Sequence, residues 1–215
     1  MSDFDRIIIW RHGQTDWNKE NRYQGHSDIP LNSVGLFQVE HAAKILAAMK
    51  PEKIISSDLI RAQQTAQPLV ALTGAPLELD PDLRETNGGK WEGRTREENM
   101  SEDRERFIKW ISGGDIAAGI TGERRSQVAD RAMRAVEKGL ATTTGTLVVV
   151  THGGTARCLL GRLLDLPHHQ WTVLGGLSNA SWSVLEPSHL TSHPGWSLIE
   201  HNAGSIPEPL LSNEG

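Results

Sequence analysis

Short unbroken apolar runs alternate along this chain with longer stretches in which apolar residues return every three or four positions. Residues 6–10 (RIIIW) are apolar without alternation and predict a strand buried on both faces. Over 36–49 the apolar positions Leu36, Val39, Ala43, Leu46 and Met49 keep helical spacing and predict an amphipathic helix. A second short strand is expected over 53–56 (KIIS), a helix over 59–72 and a third strand over 76–79. Helices are expected over 102–111 and 126–140. The plainest strand of the chain is 146–151 (TLVVVT), with a helix over 155–164 behind it. Two late strands, 181–185 and 196–201, read as a pair. Such alternation predicts a three-layer α/β/α sandwich around a mostly parallel, mixed sheet, in one domain spanning 1–215. The stretch 88–122, with two glycine pairs and many charges, is expected as an inserted cap or lid. The tail after Asn202, with Gly204, Pro207 and Pro209, is expected to be irregular.

The ends of three strands change the picture. The first runs into Arg11-His12-Gly13 and the fourth into His152-Gly153-Gly154. The second runs into Ser56-Ser57-Asp58, ahead of a helix whose first turn holds Arg61. In a parallel sheet the carboxyl ends of the strands share one edge, where ligands of α/β proteins gather. Two imidazoles and two guanidiniums are therefore expected in one crevice. The glycines after each histidine let backbone approach a ligand, and helix N-termini add oriented N–H donors.

Composition excludes more than it identifies. A chain of 215 residues suits one domain with a real core, and a net charge of −5 argues against general nucleic-acid binding. The lone Cys158 cannot pair within the chain, which suits a reducing compartment. No apolar run is long enough to cross a bilayer, and the acidic start Met-Ser-Asp-Phe-Asp is unlike a secretory signal. A cytoplasmic protein that does not engage membranes is expected. Of the seven tryptophans, six lie in or beside apolar runs and read as packing residues; Trp17, in a polar stretch, is the one that could line a site.

Arginine donates in a planar fork that matches phosphate oxygens, and Arg11 with Arg61 would offset the two charges of a phosphomonoester. Neutral imidazole can accept a phosphoryl group and divide one hard displacement into two. Paired histidines also bind metals, but two arginines would repel a cation and no Asp/Glu cluster accompanies them. His168-His169, after Pro167, lack metal-ligand spacing. No metal and no cofactor are expected. On residue chemistry alone, His12 and His152 are equal candidates for the nucleophile.

Arg11-His12-Gly13-Gln14-Thr15-Asp16-Trp17-Asn18 resembles the signature of the histidine phosphatase superfamily, in its phosphoglycerate-mutase-like branch. The similarity continues through Arg22-Tyr23-Gln24-Gly25, Asp28-Ile29-Pro30-Leu31, Ser56-Ser57-Asp58-Leu59 with Arg61-Ala62, Leu83-Arg84-Glu85 with Trp91-Glu92-Gly93, and Thr151-His152-Gly153-Gly154. The resemblance implies that His12 becomes phosphorylated while Arg11, Arg61 and His152 surround the phosphoryl group. Glu85 would protonate the leaving oxygen and then activate water. Asn18, Gln24, Gly25 and Gly153 would border or donate to the phosphate and substrate. Many members have Gly-Glu-Ser before the late helix, where this chain has Gly122-Glu123-Arg124-Arg125-Ser126. Glu123 could touch substrate, Ser126 reads as the helix cap, and Arg124-Arg125 read as a solvated helix start. The stretch Leu174-Gly175-Gly176-Leu177-Ser178-Asn179-Ala180-Ser181-Trp182 resembles the actinobacterial glucosyl-3-phosphoglycerate phosphatases of this superfamily.

Three functions stand as expectations. The first is hydrolysis of a small phosphomonoester, a sugar phosphate or phosphoglycerate derivative. The second is a phosphoglycerate mutase, which returns the phosphoryl group to substrate instead of water; active-site closure decides between them. The third is a noncatalytic module that binds phosphorylated ligands. The late strand pair and outlying tryptophans permit a homodimer, as the resemblance also implies.

Overall fold

The structure is a computed structural model, described for residues 6–191 and 195–204. Its sheet is six-stranded, built from β1 (Arg6–Arg11), β2 (Pro51–Ser56), β3 (Leu77–Leu79), β4 (Thr146–Thr151), β5 (Trp182–Pro187) and β6 (Trp196–Ala203). The order across the sheet is β3-β2-β4-β1-β5-β6. β1, β2, β3 and β4 pair in parallel, whereas β5 runs antiparallel to β1 and β6 antiparallel to β5. β1 and β4 run level, Arg6 beside Thr146 and Arg11 beside Thr151, so both strands finish at the same height.

The pleat divides the apolar run of β1 between two cores. Ile8 and Trp10 join Val148 and Val150 against α2 (Ser33–Ala48) and α3 (Ile60–Thr73). Ile7 and Ile9 join Leu147 and Val149 against α6 (Arg125–Leu140) and α7 (Gly153–Leu163). Helices thus cover both faces, and the three-layer expectation holds. Asn32 caps α2 by accepting the Gly35 N–H at 2.9 Å, so this helix starts before the apolar spacing does. Leu36 is 45% exposed; the buried stripe is Gly35, Gln38, Val39, Ala42, Ala43 and Leu46. The cause is steric: Gly35 lies on the loop after β1, where a Cβ would stand 2.1 Å from the Gln14 carbonyl oxygen.

The remaining helices are a short turn α1 (Asp16–Lys19) and the pair α4 (Arg96–Glu102) and α5 (Arg104–Ile111). The single helix expected over 102–111 is thus α5 preceded by a separate α4, broken at Asp103, whose φ of −138° and ψ of 49° leave the helical region. Segment 88–122 packs around its own cluster of Trp91, Phe107, Trp110 and Ala118, with Trp91 edge-on to both other rings. Backbone bonds pin its two ends together: Lys90 N–H donates to Gly119 O at 3.0 Å and Glu123 N–H to Asn87 O at 2.9 Å. Of the irregular tail expected after Asn202, everything beyond Gly204 lies outside the described residues. Among the described residues no helix is long and apolar enough to cross a membrane.

Candidate active site

The strand ends deliver their side chains to one place. His12 N–H donates to Thr151 O at 3.0 Å, one step beyond the β1–β4 ladder, and Ala180 N–H holds His12 O at 3.0 Å. The His12 and His152 rings then lie side by side, tilted by 58°, with centroids 5.1 Å apart. Arg61, fully buried in the first turn of α3, donates its Nε–H to His152 Nδ1 at 3.1 Å. Its two other nitrogens donate to Ser27 O at 2.7 Å and Gly25 O at 2.8 Å. Arg11 is buried beside them, with Nη1 donating to Leu177 O at 2.5 Å.

These contacts make the two histidines unequal. His12 Nδ1 lies 2.7 Å from Gly13 O; a carbonyl only accepts, so Nδ1 carries the proton and Nε2 keeps its lone pair. No hydrogen bond among the described residues engages that Nε2. His152 has the opposite tautomer: Nδ1 accepts from Arg61, and Nε2–H donates to Ser57 Oγ at 2.9 Å. Burial, Arg61 and Arg11 hold His12 neutral, far below its usual pKa of 6.5. Burial, Arg61 and the neighbouring His12 do the same to His152. Burial pushes the Arg61 guanidinium down to about 10, with Arg11 adding to the effect, so it stays charged at neutral pH.

The unfolded chain takes up protons on both histidines below about 6.5, whereas the folded chain refuses them. Stability therefore rises with pH up to that point, by roughly 1–3 kcal/mol per pH unit at the steepest, and is flat above it as far as these two residues are concerned. Urea unfolding at pH 5.5 and 7.0 checks this; equal midpoints would contradict the neutral pair.

Glu85 sits at the N-terminus of α7. Its Oε2 accepts from Gly154 N–H at 3.1 Å, and its Oε1 from Thr155 N–H at 3.1 Å and Thr86 N–H at 2.7 Å. Gly153 opens α7, with His152 as the cap residue. Asn18 closes a capping box with Thr15: its Oδ1 accepts from Thr15 N–H at 3.1 Å and from Asn179 Nδ2 at 3.2 Å. With its oxygen so occupied, the donor end of Asn18 makes no hydrogen bond among the described residues. Gln24 is buried with Oε1 unpartnered, and Gly25, at φ 49°, turns the chain so that its carbonyl meets Arg61. A Cβ at Gly25 would strike the Glu92 carboxylate at 2.0 Å.

Several contributors are not marked by residue type. Ser57 orients His152, and Glu92 binds His26 N–H at 3.0 Å, fixing the loop whose carbonyls hold Arg61. Arg131, within α6, donates to Asp82 O, Arg84 O and Glu85 O at 2.6, 2.7 and 3.0 Å and pairs with Glu123 at 2.8 Å. An arginine on the buried stripe with Val128, Ala132 and Ala135 is the signal that could have found it. Glu123 is thereby held by Arg131 and by Asn87 N–H, so it braces the Glu85 loop. Ser126 is not the cap of α6. That residue is Arg124, and Ser126 donates its hydroxyl to Asp115 at 2.7 Å. Arg125 is not solvated: it is 7% exposed, because Trp110 lies under its guanidinium at 4.5 Å. Trp17 is half-buried and lies against Gly93. Among the described residues no group of three or more His, Cys, Asp or Glu is placed to hold a metal ion.

The family model of the histidine phosphatase superfamily, branch 1, matches residues 7–202, which include every residue of this constellation. The chain belongs to that superfamily. A glucosyl-3-phosphoglycerate phosphatase of Mycolicibacterium vanbaalenii is 39% identical over 188 residues, 84% of this chain and 83% of that protein. A probable phosphoglycerate mutase of Yersinia pestis is 34% identical over 165 residues, 76% and 77% of the two chains. Among solved structures, mycobacterial glucosyl-3-phosphoglycerate phosphatase with VO3 superposes with a TM-score of 0.86 at 35% identity, over 93% of this chain and 100% of that one. Family and phosphatase relatives together make this superfamily member a phosphomonoesterase.

Proposed function

We propose that the enzyme hydrolyses a small phosphomonoester, a glycerate phosphate such as glucosyl-3-phosphoglycerate, through phospho-His12. The observation that carries this reading is the His12 tautomer, whose Nδ1–H is spent on Gly13 O while Nε2 is engaged by no hydrogen bond among the described residues and the charges of Arg61 and Arg11 act on the ring. Nε2 attacks phosphorus as the bond to the leaving oxygen breaks, and Glu85 gives that oxygen a proton. Glu85 then takes a proton from water as water attacks the phosphohistidine, which returns His12 neutral and releases inorganic phosphate. Arg11, Arg61, the Gly153 N–H and the donor end of Asn18 stabilise the charge on the transferring group. His152, held by Ser57, accepts the Arg61 N–H and orients that guanidinium, while Gln24 and Gly25 border the phosphate. Segment 88–122 is the cap over the substrate, with its own apolar cluster and pinned ends as support. The glycerate assignment draws on the phosphatase relatives. The buried Cys158 suits a reducing, cytoplasmic setting, and a homodimer fits the family resemblance.

A mutase is the second reading, favoured by the Yersinia relative. A screen of phosphate release from sugar phosphates, phosphoglycerates and nucleotides, without added metal, tests the reading. Free phosphate is expected, fastest from a phosphoglycerate derivative. Rapid 2-phosphoglycerate formation with little free phosphate would make it a mutase. Tight phosphate binding without turnover would make it a binding module.

A further inference from the structure

Two arginines beside the site have no hydrogen-bond or ion-pair partner among the described residues. Arg125, at the start of α6, is only 7% exposed, and its Nη1 is fully buried. Arg157, in the second turn of α7, has its Nε buried. The other arginines of these two helices are all paired: Arg131 with Glu123, Arg134 with Asp82 and Arg162 with Asp130. Asp115, whose charge reaches Arg125, is already bound by Ser126 through its N–H at 3.1 Å and its hydroxyl at 2.7 Å. Arg125 and Arg157 also repel each other. A buried Arg125 beside a half-buried Arg157, with no anion between them, is costly, and an arriving carboxylate would offset that cost.

Their position says which anion. Val128 and Ala129, one turn on from Arg125, pack against Cys158, the neighbour of Arg157, while Trp110 under Arg125 meets Trp91 and Trp91 meets Tyr23. The Tyr23 hydroxyl donates to the carbonyl of Thr86, next to Glu85. Arg157 stands two residues after Thr155, whose N–H holds Glu85. The arginine pair therefore belongs to the Glu85 side of the cleft. Glu85 serves the leaving oxygen, so the space beyond it receives the rest of the leaving group.

We propose that Arg125 and Arg157 form a second anion subsite, which takes the carboxylate of a glycerate-type phosphomonoester. The subsite rests on the reading of this enzyme as a phosphatase. The stack on Trp110 fixes the plane of the Arg125 fork, which suits bidentate carboxylate binding.

Steady-state kinetics with 3-phosphoglycerate and glycerol 3-phosphate test the subsite, because the second compound carries a hydroxymethyl group in place of the carboxylate. The wild-type enzyme is expected to favour 3-phosphoglycerate at least ten-fold in kcat/KM. Arg125→Met, which keeps an apolar stem over Trp110, and Arg157→Gln should each cut that ratio about ten-fold, mainly through KM. The melting temperature of ligand-free Arg125→Met should not fall, since it loses an unpaired buried charge. Equal losses on both substrates, or a wild-type enzyme indifferent to the carboxylate, would overturn the subsite and leave the phosphatase standing. No phosphate release from any ester would instead overturn the phosphatase reading and the subsite with it.

Discussion

His12→Ala loses turnover by about four orders of magnitude or more, and with it the acid-labile phosphoprotein that substrate otherwise leaves behind. The fold survives, because the backbone of residue 12 is held by Thr151 O and Ala180 N–H and not by its ring. The loss is this large because, of the two neighbouring histidines, His12 alone has a ring nitrogen that no hydrogen bond among the described residues engages. His152, 5.1 Å away, has Nδ1 bound to the Arg61 N–H and its Nε2 protonated. To act as nucleophile it would have to give up Arg61, which in the proposed mechanism is also the charge that stabilises the transferring phosphoryl group. Circular dichroism reports on the fold, and trapping with radiolabelled substrate followed by acid and alkali reports on the phosphohistidine. Turnover retained in His12→Ala would show that His152 carries the chemistry after all.

How much of this is legible in the sequence depends on how far each feature is set by its own segment. The apolar runs that end in Arg11-His12 and Thr151-His152 place β1 and β4, and the parallel pairing then brings the two imidazoles together. The choice between them is not legible. It is made by one atom each, the Gly13 carbonyl for His12 and the Arg61 N–H for His152. Arg131 escapes a reading of the sequence for a related reason, since its meaning lies in a bond to Glu85 O, 46 residues away. Arg125 reads as a helix start facing water, because its local sequence is charged and only the packing of Trp110 encloses it. The break at Asp103 is equally silent: the charged residues before Phe107 carry no strong apolar spacing, so nothing local marks where one helix ends. Segment-level pattern thus predicts strands and their ends well, whereas tautomer, burial of charge and loop bracing come from contacts between segments.

Glu85→Gln slows hydrolysis of alkyl phosphates by about 10²–10⁴-fold and spares the first step for esters with an acidic leaving group. Gln keeps the size of the side chain and an oxygen for the Thr86 and Thr155 N–H groups, but its NH2 must face the Gly154 N–H. That donor–donor contact costs about 1–3 kcal/mol of stability, small beside the kinetic effect. In the proposed mechanism the proton matters twice, once for the leaving alkoxide and once for the attacking water. With p-nitrophenyl phosphate the leaving group departs unaided, so Glu85→Gln should release one equivalent of nitrophenol per site in a burst. The slow phase after the burst is hydrolysis of phospho-His12 without its base. Arg131 and Glu123, which fix the main chain on either side of Glu85, bias the same step by holding the carboxylate on the α7 N-terminus. A Glu85→Gln enzyme that lost alkyl and nitrophenyl substrates equally, with no burst, would remove Glu85 from proton transfer and leave it a structural cap of α7.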